Sequence, residues 1–569
     1  MGLAGGKAWS ILASPPGDRR AIDLKVSAGA PRSLERPSPA AFIVIGVPSP
    51  VIGAGLAVLL LCLVGAGILL VLRRPFIGLG VLVAGMAFHN FALMVLLALH
   101  TPPLLIRIVQ SWKEIVLGVL ILLAARQVLR AREQGWVRRL IPTDWIAIAF
   151  SGVVVVYLLL PSEFFAGNAS FLQKLVAFRI AMLIPLVYFL GRVFSNPSDP
   201  DLRLTSWLIV GAGGVVGAFG LYELWFVPTE KWLDWGINLY SSWLGFTYHG
   251  PAGLPENFFQ TLPDGLLLRR MVSTYISPLG IAYTGLLCWP IAVILVDRPL
   301  LRRRTAILTG IAVALLLLGI LFSVTRLALL MLAAEAVVLA FLLRTRITAG
   351  LGVLVVISVV SLLFLYPLHG PVVDPSLLPG VSKQHTVLYV SDPSFQEHWR
   401  ALFGDLRVIW QYPFGLGLGA SVNRFVQAGS GGPAGTGESA LLGIFGDAGI
   451  LAGALYVGLY GLSLYSGLRA VGSAGQRSLA LALPLVASVG GLMLIPITFT
   501  SDVWADFSVT FLFWWAAGYA ASIATRRSAM APGEAPHAVD RQTARLIDKL
   551  GPLASPWSRV LMQSRPRSS

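Results

Sequence analysis

The chain has 569 residues, of which 56% are hydrophobic and only 12% charged, about half the charged fraction of an ordinary soluble domain. That balance excludes a water-soluble globule and predicts an all-α polytopic membrane protein, because the apolar runs have the length of spanning helices, about 20 residues. The formal charge of +16 does not point to nucleic acid, since the arginines form short clusters between apolar runs with no interleaved stacking aromatics.

Residues 1–40 are rich in Pro, Gly, Ala and Arg and lack helical periodicity, which predicts a disordered cytoplasmic tail. The apolar stretch from Ala40 continues far beyond the core of a signal peptide and is expected to be a membrane anchor. About 13 spans are predicted within a membrane domain of residues 41–525, at 51–72, 75–98, 103–126, 142–160, 171–194, 203–226, 272–296, 305–323, 326–344, 348–367, 437–467, 477–498 and 503–524. The basic clusters at Arg73 and Arg74, Arg126 to Arg139, Arg192 to Arg203, Arg298 to Arg304, Arg344 to Arg346, Arg469 to Arg477 and the tail from Arg526 then share one side, the cytoplasmic one. With this count, a cytoplasmic start for Arg19, Arg20, Lys25, Arg32 and Arg36 needs one short extra limb over Ala40 to Pro48. The tail, residues 526–569, holds a weakly amphipathic piece at Val539 to Leu550 that suits a membrane surface.

Two outward loops, 227–271 and 368–436, are large enough to fold. The first carries six aromatic residues between Trp232 and Tyr248, suited to the interfacial belt or to packing, and alternatively to sugar or lipid contact. Cys62 and Cys288 lie in apolar runs and read as packing residues. His89 and Asn90, inside the second span, are expected to hydrogen-bond to a neighbouring helix.

Several basic residues break the charge rule by lying on or near the outer side: Arg107, Lys113, Arg179, Arg269, Arg270, Arg326, Arg400, Arg407 and Arg424. Arg179 is about eight residues into its span, where an uncompensated charge is costly. Each could snorkel or pair internally, for instance with Glu114, Glu223 or Glu335. Taken together they ask for an anion such as pyrophosphate, which guanidinium groups bind with paired hydrogen bonds.

The stretch from Ser394 to Gly453 holds the densest chemistry. Pro413 to Gly419, PFGLGLG, supplies glycines at 415, 417 and 419 that let the backbone turn and approach a neighbour closely, shaping a cavity. A glycine-rich linker follows, and Glu438 is expected to open the next helix, where a carboxylate is electrostatically favoured.

In these pieces the chain resembles the superfamily of O-antigen ligases and polysaccharide polymerases. FSVTRLALL at 322–330, EHWRALFGDLRVIW at 397–410, the turn at 413–419 and ESALLGIFGDAGILAG at 438–453 carry the likeness, with RRMVSTYISPLGIAY at 269–283 as a weaker piece. Glu438 and Ser439 stand where the ligases have a His-Asn pair, which favours the polymerase and exopolysaccharide branches. The resemblance implies a bacterial inner-membrane glycosyltransferase without cofactor, metal or nucleotide sugar. Its donor would be an undecaprenyl-pyrophosphate-linked oligosaccharide, its acceptor a glycan or lipid hydroxyl, and its neighbours the bilayer and other polysaccharide-assembly proteins.

On that basis Glu438 would be the general base, with His398 a second acid-base or hydrogen-bonding group. Arg179, Arg270, Arg326, Arg400 and Arg407 would bind pyrophosphate or glycan, and Arg326 would also act on the leaving group in catalysis. A flippase or other transporter is the competing class; it is disfavoured because no internal repeat is visible and the large loops share one face. A lipid-phosphosugar transferase is disfavoured because His100 to Ser111 contains no Asp or Glu.

Overall fold

The computed structural model describes residues 49–131, 140–248, 250–262, 264–297, 303–381, 394–420, 439–473 and 478–528, excepting the side chains of 131, 303, 394–401, 473, 527 and 528. The proposed limb at Ala40 to Pro48, both terminal tails and the linker with Arg424 and Glu438 lie outside these residues. The protein is an all-α polytopic membrane protein with 12 helices, or 13 counting one bent pair, long and apolar enough to span a bilayer among the described residues.

The first half runs through α1 (Ser49–Arg73), α2 (Gly78–Ala98), the pair α3 (Pro103–Gln110) and α4 (Trp112–Ala131), α5 (Pro142–Leu159), α6 (Phe171–Val193) and α7 (Asp199–Phe226). The predicted span 103–126 is therefore broken, bending by 40° between α3 and α4. Local sequence sets several starts. Ser170 and Gln173 form a capping box at α6, and Ser198 with Asp201 does the same at α7. Two short helices, α8 (Lys231–Asp234) and α9 (Ile237–Leu244), fill the first outer loop.

The second half contains α10 (Pro278–Val296), α11 (Arg303–Phe322), α12 (Arg326–Leu343), α13 (Arg346–His369) and the loop helix α14 (Ser394–Gln411). After these come α15 (Ala440–Ser473), then α16 (Ala482–Leu485) and α17 (Gly491–Thr500) joined by a π turn at Val486–Gly490, and α18 (Phe507–Ser528). A small antiparallel sheet, β1 (Phe259–Thr261), β2 (Leu267–Arg269) and β3 (Val372–Val373) in the order β1-β2-β3, joins the two outer loops.

The centre of the bundle is α10, α16–α17 and α18, whereas α1 and α13 are peripheral. Trp504, Trp514, Phe513, Tyr456 and Tyr460 stack into a buried aromatic cluster there. Gly518 sits against the Tyr188 carbonyl and leaves no room for a Cβ, so α6 and α18 cross in close contact. On the basic face α6 is tied by charge to α5 and by a hydrogen bond to α18. Buried Arg192 donates to Asp144 Oδ1 and Oδ2 at 3.0 and 2.7 Å and to Ser522 Oγ at 2.9 Å, and Tyr188 donates to Asp144 Oδ1 at 2.7 Å.

The aromatics of the first outer loop are mostly packing. Trp232 is fully buried, its ring edge-on to Phe91, Trp235 and Phe258, and its indole N–H donates to Glu223 Oε1 at 3.1 Å. His89 and Asn90 bond to neighbouring segments as expected. Trp112 Nε1 donates to His89 Nδ1 at 3.1 Å and Asn90 Nδ2 to the Tyr275 carbonyl at 3.1 Å.

Candidate functional site

The outer-side arginines separate into two kinds. Arg269, the last residue of β2, turns inward and is consumed by structure: it donates to the Val227 carbonyl at 2.7 Å and to Glu223 Oε1 at 2.8 Å. Arg270 points the other way, against the turn joining α11 to α12. Its Nε donates to the Ser323 carbonyl at 2.9 Å and its Nη2 to Thr325 Oγ1 at 2.8 Å. Val324, between them, is in the left-handed region at φ 50°, a costly conformation for a β-branched residue that surrounding contacts must hold.

That turn delivers Arg326, the first residue of α12, beside Arg270. The exposed Arg326 guanidinium meets the side-chain amide of Gln260 on β1. Burial, together with the like charge of Arg326, pushes Arg270 down to about 10. Two guanidinium groups held this close favour an anion between them.

The segment between α17 and α18 is the hub of the face that carries the two long loops. Ser501 Oγ lies 2.8 Å from the Tyr283 hydroxyl of α10, which is in electrostatic contact with Arg270. Asp506 turns toward the first turn of α10, where a Cβ on Gly280 would lie 3.2 Å from its Oδ2. Its carboxylate accepts from the Ser508 amide at 2.9 Å, and burial raises it to about 6. The Phe507 ring carries Arg179 on its face, 4.7 Å to the guanidinium carbon, and Lys113 at 5.6 Å. Arg179 also pairs with Glu114 at 3.5 Å and is half exposed, so it is compensated rather than isolated in lipid.

The start of α15 is fixed to the same hub. Ala440 donates its amide to the Ser501 carbonyl at 3.1 Å, and Ser439 Oγ donates to the Thr498 carbonyl at 2.9 Å while accepting from the Leu442 amide at 3.0 Å. The helix begins at Ala440, after Glu438 rather than with it.

The glycine turn has a definite partner. Helix α15 is interrupted at Ala448 and Gly449, the latter at φ 74°, ψ −179°, a conformation essentially confined to glycine. PFGLGLG plugs into the interruption: Leu416 donates to the Gly446 carbonyl at 2.7 Å, Gly417 to the Asp447 carbonyl at 3.0 Å, and Ile450 to the Pro413 carbonyl at 2.9 Å. Gly415, Gly417 and Gly419 all have positive φ, and a Cβ on Gly415 would lie 2.6 Å from the Gly449 nitrogen. Asp447 locks the end of the turn by accepting from the Gly419 amide at 3.1 Å. Leu418, between the last two glycines, lines a narrow 50 Å³ cavity with Ile180, Asp447, Asp502 and Trp504.

Neither the models of known protein families nor the sequences of curated proteins gave a match to this chain.

Of the candidate residues, Arg270 and Arg326 are brought together, and Arg179 reaches the same hub through Phe507. Arg407 is exposed on α14. The side chains of His398 and Arg400, and the whole of Glu438, lie outside the described residues. Sequence reasoning missed Asp506, Tyr283 and Ser501. The signal for the first was legible in SDVWADF: acidic residues on the outer side directly before a span, where a helix N-terminus favours them.

Proposed function

We propose that the chain is a glycosyltransferase of the O-antigen ligase and polymerase type, acting on the outer face of a bacterial inner membrane. Its donor is a glycan carried on undecaprenyl pyrophosphate. The observation that supports this reading best is the convergence of Arg270 and Arg326 at one turn, with Arg179 and the start of α15 fixed to the adjoining segment 501–508. The arginines that sequence placed on the wrong side of the membrane thus include a pair at one turn.

In this mechanism the acceptor hydroxyl oxygen attacks the anomeric carbon and the bond from that carbon to the pyrophosphate oxygen breaks, with inversion. Glu438, two residues ahead of α15, takes the hydroxyl proton, and Arg270 and Arg326 neutralise the charge growing on the departing pyrophosphate. The resemblance assigns His398 and Arg400 to the same reaction. Tyr283 and Ser501 form the polar wall of the donor site.

Deletion of the gene followed by glycan analysis of the cells tests the reading. Loss of chain length with single repeats retained identifies a polymerase, and loss of attachment with long lipid-linked chains identifies a ligase. Unchanged glycans, together with flipping of lipid-linked oligosaccharide by purified protein in vesicles, would replace the transferase by a transporter.

A further inference from the structure

Helix α14 is not a span, yet one of its faces is apolar and open. Leu406 and Trp410 lie one turn apart on it, and Phe414 follows in the turn beyond; Trp410 is 88% and Phe414 79% exposed. Phe403 shares this face. The opposite face is the packed one, with Asp405 and Val408 buried. At about 100° per residue, Arg407 and Gln411 fall at one edge of the apolar stripe, and both are exposed.

The height of this stripe is fixed by a hydrogen bond. The Tyr157 hydroxyl, in the last turn of α5, donates to the Phe414 carbonyl at 2.7 Å. Phe414 is therefore level with the end of a membrane span. Gln411 is three residues away, so α14 ends within about 10 Å of that level. Around the same junction the span ends are also apolar and exposed: Leu159 closes α5, and Phe171 and Leu172 open α6. The Phe165 ring stacks on Tyr157 at 5.1 Å, and Gly167 donates to the Leu416 carbonyl at 3.1 Å, which joins these pieces into one collar.

We infer that α14 and the turn after it form a lipid-seated collar, with Leu406, Trp410 and Phe414 inserted at the headgroup and acyl boundary of the outer leaflet. The occupant is the bilayer because the stripe continues the lipid-facing surface of α5 and α6, and because an aromatic-rich face with a basic residue at its edge is the composition such a boundary takes. Arg407 then extends its guanidinium to headgroup phosphate instead of lying at the hub. This seating does not depend on the proposed reaction.

Site-directed spin labelling tests it. With Cys62 and Cys288 replaced by Ala, a nitroxide is placed in turn at positions 406, 410, 414, 407 and 411 in full-length protein in phosphatidylcholine–phosphatidylglycerol nanodiscs, with a label at the exposed position 63 of α1 as the lipid reference. The expected result is an oxygen-to-chelate relaxation ratio at 406, 410 and 414 that is below that of the mid-span position 63 but clearly above that of 407 and 411, where a water-soluble nickel chelate dominates. Chelate-dominated relaxation at all five positions would overturn the inference in favour of a solvated helix. Shielding of 406, 410 and 414 from both relaxants would overturn it in favour of cover by a second copy or another part of the chain. Variants that fail to give a monodisperse, cooperatively melting sample are replaced by a label at 403, expected to follow the same lipid-facing pattern as 406.

Discussion

Replacing Arg270 by Gln separates a binding guanidinium from a structural one. Of its five N–H donors, one on Nε and one on Nη2 are committed to Ser323 and Thr325, which leaves three to face a ligand beside Arg326. If these meet the departing pyrophosphate, their removal should lower kcat by about 10²–10³, as for loss of one preorganised donor at developing charge. The two scaffold bonds add a stability cost of about 1.5–3 kcal/mol each, so the variant should also melt earlier. The assay is initial-rate product formation in nanodiscs with a polyprenyl-pyrophosphate-linked oligosaccharide, read by mass spectrometry at saturating donor, with a melting curve on the same sample. Arg269→Gln is the control. Its bonds go to Val227 and Glu223, so it should lower stability and leave the kcat of the folded fraction near wild type. Arg270→Lys should recover charge but not the fork, and so only part of the rate. A folded Arg270→Gln protein retaining a third or more of wild-type kcat would refute the assignment.

Glu438→Gln should reduce product formation by about 10²–10⁴ without changing the melting temperature, as expected for a general base; undiminished product would exclude it. Asp506→Asn should remove a pH-dependent stability difference: the group holds its proton up to about 6, against 3.8 ordinarily. Its contribution is therefore present at pH 4 and lost as pH rises through about 6, by on the order of 3 kcal/mol. Thermal melts of both proteins from pH 4 to 8 should show the variant gaining on wild type across that interval. Asp144→Asn leaves Arg192 buried with a neutral partner and should cost about 3–5 kcal/mol, read as a fall in melting temperature. Gly449→Ala should cost at least about 1–3 kcal/mol for its conformation alone, and more for the clash with the Pro413 carbonyl 2.7 Å from the added Cβ; its readout is again the melting curve.

The spans were readable because lipid imposes a length and composition on every helix, and twelve of them follow directly from apolar runs. The break between α3 and α4 was not, since no proline or glycine marks the bend and the polar cluster from Gln110 to Glu114 that surrounds it was absorbed into one predicted span. For the arginines, sequence supplied the anomaly but not its sorting. Arg269 and Arg270 are adjacent and chemically identical, and the strand geometry of β2 sends one to Glu223 and the other to the α11–α12 turn. The glycines of PFGLGLG announced a close approach, while its partner, the interruption at Ala448 and Gly449, lay hidden inside what reads as continuous helix. Asp506 was marked by its place just before a span, but its neighbours in space, among them the first turn of α10, were not.

The order of burial also bears on biogenesis. Among the described spans, the latest in the chain, α18, is one of the most enclosed, whereas the earliest, α1, lies at the margin. The clamp between Arg192 and Ser522 and the close crossing at Gly518 cannot form until α18 has been made. Ten or more inserted helices must therefore wait in the bilayer with an unfilled slot at their middle. A nascent chain stopped before Phe507 would be inserted yet unassembled, a state that membrane quality control can recognise by the open slot at its middle, where Arg192 keeps Asp144 but lacks Ser522.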